Sequence, residues 1–191
     1  MKKFHIGPLV LFMLLVSVPE AFSETSLKKI PHEVLRKEHL KYEKESTEYK
    51  KAIDEEIASY KKACKKNKGE GCRNLGSEYT IGMYVVQDYS KAIKYFRKAC
   101  DLNDGIGCNI LGSMYFNGQG VKKDFSKAYK YQRKACDLNT GIGCTNIGFL
   151  YFRGLGVTQD YSKAMKYLRK ACNLKEQNGC TIYKDLKSKG Y

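Results

Sequence analysis

Eight cysteines are the most reactive side chains of this 191-residue chain, and their spacing is regular. They form four C-x7-C pairs that recur every 36 residues: Cys64 and Cys72, Cys100 and Cys108, Cys136 and Cys144, Cys172 and Cys180. Thiols in such numbers form disulfides or bind a metal ion. A zinc site is disfavoured because no C-x-x-C occurs and no histidine follows His39. We therefore predict four disulfides, no metal and no cofactor.

The repeat restricts how these cysteines can pair. Equivalent cysteines of successive repeats would lie on neighbouring parallel helices about 10 Å apart, which exceeds the roughly 7 Å between Cα atoms that a disulfide spans. The nearest partner is then the cysteine eight positions away along the chain. On the chain-entropy model, each bridge of this length stabilises the fold by about 2.5 kcal/mol.

Serine catalysis has weaker support in the sequence. A penicillin-recognising serine enzyme combines S-x-x-K with S-D-N and K-T-G, and the last two motifs are absent. S-x-x-K occurs from Ser26 to Lys29 and from Ser59 to Lys62, which is the number of matches expected by chance in this chain. Metal-dependent hydrolysis lacks ligands, because His32 and His39 precede the repeats. No catalytic residue can be named.

The first residues, 1–23, have the pattern of a signal peptide. Lys2 and Lys3 precede an apolar run over residues 6–18, which is too short to span a bilayer, and Ala21-Phe22-Ser23 fits a cleavage site. Export agrees with the disulfides, because these persist in oxidising compartments. We expect a secreted or periplasmic protein that begins at Glu24 and has no membrane anchor.

A strict period of this length indicates stacked copies of one structural unit. In one copy, Asp88 is a helix N-cap, and Ala92, Ile93 and Phe96 lie on one face of an amphipathic helix ending near Leu102. The glycines of residues 103–107 predict a helix stop, and residues 108–117 a second, shorter helix. We predict an all-α αα-solenoid over residues 52–191, preceded by a charged lead-in or cap over residues 24–51.

Columns of equivalent residues indicate how the helices pack. Gly76, Gly112 and Gly148 share one position inside the second helix, where glycine is unfavourable unless a neighbouring helix approaches closely. Two further columns supply large side chains for the core. One contains Leu75, Leu111 and Ile147, and the other contains Tyr79, Tyr115 and Tyr151. The last unit carries lysines at the glycine and tyrosine positions, Lys184 and Lys187, which gives it the polar face of a terminal repeat.

The formal net charge of +15 belongs mainly to the repeats. Lysines recur on the first helix of each unit and form a basic ridge: Lys91, Lys94, Lys98; Lys127, Lys130, Lys134; Lys163, Lys166, Lys170. Such a ridge could bind acidic glycans or nucleic acid. A solvated outer face is the alternative that we favour, because export removes most contact with nucleic acid.

These elements together resemble a known family. Leu111-Gly112, Tyr115, Gly118, Gly120-Val121, Asp124, Lys127-Ala128, Tyr131 and Lys134-Ala135-Cys136 follow the pattern of Sel1-like repeats, which are relatives of tetratricopeptide repeats. With a signal peptide and C-x7-C in every repeat, the chain more narrowly resembles the Helicobacter cysteine-rich proteins. That resemblance implies one disulfide per repeat, penicillin binding, classification as a slow β-lactamase, and a role in host interaction.

Three functions remain open at this point. Architecture favours a binding module whose inner groove takes a peptide, a peptidoglycan fragment or a β-lactam, with Asn74, Asn109 and Asn146 as groove residues. Asn109 does not share a repeat position with the other two. The family resemblance adds slow β-lactam hydrolysis and a host or envelope protein as partner, and the charge adds polyanion binding. We predict a monomeric ligand-binding repeat protein that binds neither nucleic acid nor membrane after signal cleavage.

Overall fold

The computed structural model describes residues 32–191, and the predicted signal peptide lies outside them. The described chain contains eight helices and no strand: α1 His32–Lys65, α2 Gly69–Ile81, α3 Tyr89–Asp101, α4 Gly105–Asn117, α5 Phe125–Asp137, α6 Gly141–Arg153, α7 Tyr161–Asn173 and α8 Gln177–Ser188. The predicted all-α repeat architecture is confirmed. Within this part of the chain, no helix has both the length and the apolar character needed to cross a membrane.

The repeats form a compact unit over Ala52–Tyr191. Residues 32–51, which belong to the predicted lead-in, form the first part of α1, and every side chain from Lys41 to Lys51 is exposed. Glu33 and Lys37 form an ion pair of 3.5 Å along this helix. Such exposed pairs contribute little to stability.

Three aspartates begin the first helices of the repeats. Asp88, Asp124 and Asp160 each accept a hydrogen bond from the backbone N–H three residues later, at 2.9, 2.9 and 2.8 Å. These bonds lower the pKa of all three carboxyl groups, because they favour the charged form. The predicted N-cap position is therefore correct, and it fixes where each unit starts.

The turn inside each unit differs from the prediction. The second helix begins at Gly105 and has 13 residues, as many as the first, so residues 105 and 107 lie in its first turn. The left-handed residue that ends the preceding helix is Asn103, with φ of 63°, and its equivalents are Asn67, Asn139 and Lys175. Asparagine tolerates this conformation better than most residues, so glycine was not needed there.

The misassigned glycines serve close packing. A Cβ added at Gly107 would lie 2.8 Å from the Ala99 Cβ, and one at Gly143 would lie 2.7 Å from the Ala135 Cβ. Both distances are shorter than carbon atoms tolerate. The two helices of a unit can therefore meet closely at the end that carries the disulfide.

Four disulfides join the helices at these contacts. The bridges are Cys64–Cys72, Cys100–Cys108, Cys136–Cys144 and Cys172–Cys180, with Cα–Cα separations of 4.5, 4.5, 4.6 and 4.2 Å. No cysteine between residues 32 and 191 is free. The prediction of one disulfide per repeat is confirmed.

The glycine column in the second helices marks a second close approach. A Cβ at Gly76 would lie 3.0 Å from the Phe96 ring, and one at Gly148 would lie 2.7 Å from Leu168 Cγ. At Gly112 the neighbour is the side-chain amide of Gln132, at 2.8 Å. The predicted helix contact is present at each of these glycines.

Apolar and aromatic columns fill the layers between the helices. Leu75, Leu111 and Ile147 are fully buried. Each tyrosine of the second column stacks on a tyrosine of the next helix, in the pairs Tyr79–Tyr95, Tyr115–Tyr131 and Tyr151–Tyr167, with ring centroids 5.6, 5.6 and 5.7 Å apart. In α8, Lys184 and Lys187 stand at the glycine and tyrosine positions and are both exposed, so this helix has a polar surface there.

Candidate functional site

The second helices of the units line one side of the solenoid. We call the surface formed by α2, α4, α6 and α8 the inner face, because neighbouring helices of this set contact each other directly. The first helices of the described repeats, α3, α5 and α7, make no comparable contacts with one another. The second helices therefore form one continuous face, and an inner face of this kind is the side that solenoids commonly use for binding.

A pocket of about 340 Å³ opens on the inner face between α4 and α6. Three helices supply its lining: Ser113, Phe116 and Asn117 from α4, Gln132 from α5, and Asn146, Phe149 and Leu150 from α6. The volume is that of a site for a side chain or small group rather than for a large ligand. This pocket is the candidate functional site.

Two phenylalanines form the apolar wall of the pocket. The rings of Phe116 and Phe149 meet edge to face with centroids 6.1 Å apart, and Phe116 also contacts Phe125 at 5.3 Å. Phe149 is 41% exposed, and the guanidinium of Arg153 lies 5.8 Å from its ring centroid. An exposed aromatic ring beside a pocket provides contact area for a ligand at little cost in conformational entropy.

A buried polar residue forms the floor. Gln132 is only 2% exposed, and its Nε2 donates to the Asn109 carbonyl oxygen at 3.1 Å and to Ser113 Oγ at 3.2 Å. Its Oε1 is buried and has no hydrogen-bond partner among the described residues. Buried polar atoms are nearly always paired, so this oxygen requires an explanation.

The structure brings two of the three predicted asparagines together. Asn146 Nδ2 donates to Asn109 Oδ1 at 3.0 Å, and Asn146 also lines the pocket. The two residues are offset by one position between repeats, yet their side chains meet because they project from neighbouring helices. Asn74 is half-buried on α2 and does not line the pocket.

Sequence reasoning did not identify the main pocket residues. Gln132 interrupts a column whose other members are Tyr60, Phe96 and Leu168, and that interruption was visible in the sequence. Phe116 and Phe149 had no such signal, because their contact depends on how α4 and α6 approach each other. The polar floor is thus the part of the site that a comparison of repeat positions could have found.

On the opposite side, one column of the basic ridge is already paired. Lys91, Lys127 and Lys163 bind the N-cap aspartates at 3.2, 3.3 and 3.1 Å. The same ammonium groups lie 5.3, 5.3 and 5.5 Å from the centroids of the tyrosine column. The ridge available to an anionic ligand is therefore narrower than the sequence suggested.

The Ser59 hydroxyl and the Tyr60 and Tyr151 phenols are not activated for amide hydrolysis. Ser59 is exposed on α1, and its hydroxyl donates to the Glu56 carbonyl oxygen at 2.7 Å. A hydrogen bond to Tyr129 raises the pKa of Tyr151 to about 12, and a hydrogen bond to Glu56 raises the pKa of Tyr60 to about 12. A raised pKa lowers the fraction of tyrosinate at neutral pH, so less of the basic form is present. The described residues also contain no cluster of metal-binding side chains.

The repeats match a known family model. The model of the Sel1 repeat matches residues 69–104, 106–140 and 141–176, which together make up more than half of the chain. The chain belongs to the Sel1 repeat family. Each matched Sel1 repeat contains one inner helix and one outer helix of the solenoid. A search of curated proteins gave no significant match.

Solved structures extend this result. A Sel1 repeat protein from Oxalobacter formigenes is 30% identical with a TM-score of 0.63, over 66% of this chain and 52% of that one. The protective antigen c5321 of uropathogenic Escherichia coli is 30% identical with a TM-score of 0.65, over 69% and 28%. This chain thus spans about half and about a quarter of their lengths.

A third structure shares the cysteine-rich character. Helicobacter pylori cysteine rich protein B is 40% identical to this chain with a TM-score of 0.58. The match covers 70% of this chain and 96% of that protein. Together with one disulfide per unit, this supports a cysteine-rich Sel1 repeat protein of the Helicobacter type.

Proposed function

We propose that this Sel1 repeat protein is an interaction module that binds an extended segment of a partner along its inner face. The observation that carries the proposal is the pocket between α4 and α6, where an exposed aromatic wall stands beside a buried, incompletely paired amide. Aromatic anchors at the centre of a groove supply most of the free energy in such interfaces. A peptide is the favoured ligand, and a peptidoglycan fragment is its alternative.

The groove offers both kinds of contact that an extended peptide needs. Phe149 provides an exposed ring for an apolar or planar side chain, and Asn117 is exposed at the pocket edge. The Asn109–Asn146 pair places side-chain amides on the same face. Amide groups can donate to and accept from a peptide backbone, so this surface can recognise an extended segment.

The proposal is tested by selecting peptides from a random library on the immobilised protein and measuring their affinity by calorimetry. We expect Phe149→Ala to weaken the selected peptide at least about tenfold, as the loss of an aromatic anchor does. Lys130→Ala is the matched control, because Lys130 is exposed on outer helix α5. If the wild type and Phe149→Ala bind the peptide with equal affinity, the pocket is not part of the interface.

We also propose that the chain is exported as residues 24–191. The four disulfides support this, because such bonds persist in oxidising compartments. The cleavage site itself lies outside the described residues. The intact mass of the exported protein should correspond to a chain beginning at Glu24 with eight hydrogens fewer than the reduced form.

The family resemblance implies penicillin binding and slow hydrolysis, and we propose that such binding is reversible and forms no serine acyl-enzyme. Ser59 supports this, because it lies within a helix whose backbone N–H groups are used internally and cannot form an oxyanion hole. Ser26 lies outside the described residues. After incubation with benzylpenicillin, the intact mass should be unchanged. An adduct abolished by a serine-to-alanine substitution would make hydrolysis the primary function.

A further inference from the structure

We propose that the pocket between α4 and α6 is a subsite for a carboxamide side chain, that of asparagine or glutamine, with Gln132 Oε1 as the hydrogen-bond acceptor. This inference rests on the proposed function and names the chemistry of one ligand position. It explains why a residue that is 2% exposed keeps an oxygen without a partner beside an open pocket.

The orientation of the Gln132 amide follows from its neighbours. The carbonyl oxygen of Asn109 can only accept a hydrogen bond, so the amide nitrogen of Gln132 must face it. The Ser113 hydroxyl accepts from the same nitrogen. Turning the amide over would place two acceptor oxygens against each other. Oε1 is therefore held without a donor. Because this oxygen is itself buried, a ligand N–H in the pocket must displace part of the lining to donate to it.

The fold does not require a polar residue at this position. The equivalent positions in the neighbouring units are Phe96 and Leu168, and both side chains are fully buried against the glycine column. Asn146 aligns with Ile110 and Ile182 but also with Asn74, so it does not distinguish this interface. A buried amide at the Gln132 position occurs in only one unit of the described repeats, whereas the neighbouring units pack with apolar side chains there. A ligand role accounts for this difference, since an unpaired buried oxygen by itself destabilises the fold.

The arrangement selects a neutral group that both donates and accepts. A carboxamide N–H can donate to Gln132 Oε1, while its carbonyl can accept from the Ser113 hydroxyl, whose oxygen already accepts from Gln132. The planar amide can lie against the Phe149 ring. A carboxylate has no donor and would bring a charge against Oε1, and an aliphatic side chain leaves the oxygen unpaired.

The test compares three probes that carry the same two backbone amides and differ only in the side chain: the N-acetyl N-methylamides of glutamine, glutamate and leucine. Binding is followed by NMR through the side-chain amide of Gln132 and the backbone amides of Ser113 and Asn146. We expect the glutamine probe to shift these signals with an affinity at least tenfold above that of the other two. Equal affinities, or no shift with any probe up to its solubility limit, would overturn the proposal.

Gln132→Leu provides a second test, in which stability should rise while binding of the glutamine probe is lost. Leucine occupies the equivalent position at Leu168, so the variant should melt at a higher temperature than the wild type while losing the response to the glutamine probe. Retained binding in this variant contradicts the assignment. A lower melting temperature also contradicts it, because Gln132 would then serve the fold.

The two proposals can fail separately. Selected peptides that bind the inner face without preference for asparagine or glutamine leave the interaction module intact and refute the subsite. A glutamine probe that binds at Gln132, when no library peptide binds the protein, supports the subsite and refutes peptide binding as the function.

Discussion

Replacing both Cys136 and Cys144 by alanine is expected to lower the free energy of unfolding by more than about 2.5 kcal/mol. The chain-entropy term alone accounts for that amount, because the bridge closes a loop between residues separated by eight positions. Both cysteines are fully buried in a cluster with Ile147 and Ala171. Removing the sulfur atoms therefore also leaves a cavity, which adds to the loss.

The double variant of Cys172 and Cys180 is the matched control. It closes a loop of the same length, but both residues are only partly buried in the last unit. Its loss should be close to the entropic term, or about 2.5 kcal/mol. Urea unfolding monitored by circular dichroism measures both. Equal losses would show that burial adds nothing, and no loss in either variant would contradict a role of the disulfides in stability.

Gly148→Val is expected to cost about 1 to 3 kcal/mol through overpacking. The added Cβ would lie 2.7 Å from Leu168 Cγ and 3.3 Å from the carbonyl oxygen of Ala164. Backbone atoms move less readily than side-chain ends, so this contact is difficult to relieve. The variant should unfold at a lower urea concentration with an unchanged slope.

Two substitutions in the same column are its controls. Gly112→Val would place a Cβ 2.8 Å from the buried, hydrogen-bonded amide of Gln132 and should also be destabilising. Lys184→Val replaces an exposed residue in the last unit and should change stability least. Both glycine substitutions are therefore expected to destabilise the fold more than Lys184→Val. If all three substitutions had the same effect, the glycine column would reflect helix propensity rather than helix contact.

Most of the fold follows from the period of the sequence. The cysteine spacing, the N-cap aspartates and the apolar columns each repeat every 36 residues, so one interpreted unit predicts the others. The disulfide pairs followed because only one partner lies within bonding distance. Repetition therefore replaces the long-range information that a single sequence normally lacks.

The start of the second helix was mispredicted because asparagine and glycine can both occupy the left-handed position that ends the preceding helix. The left-handed turn residue is Asn103 rather than a glycine, and the glycine two residues later, Gly105, begins the next helix. Composition cannot distinguish these roles, because both residues favour turns. The pocket was missed for a different reason: its walls come from helices whose approach depends on tertiary packing.

The structure also changes the weight of the three functional hypotheses. Polyanion binding is less favoured, because one column of lysines already forms ion pairs with the N-cap aspartates. A second column, Lys94, Lys130 and Lys166, is exposed on the outer helices. The hydrolase hypothesis finds no activated serine or tyrosine among the described residues. The binding hypothesis gains a pocket with an aromatic wall and a polar floor.

NMR mapping of a library-selected peptide on the isotope-labelled protein locates the binding surface. We expect the largest shifts on α4 and α6, at Ser113, Asn146 and Phe149. Signals of the outer lysines, Lys94, Lys130 and Lys166, should stay in place. Shifts confined to those outer residues, with the pocket signals unchanged, would show that the inner face is not the binding surface.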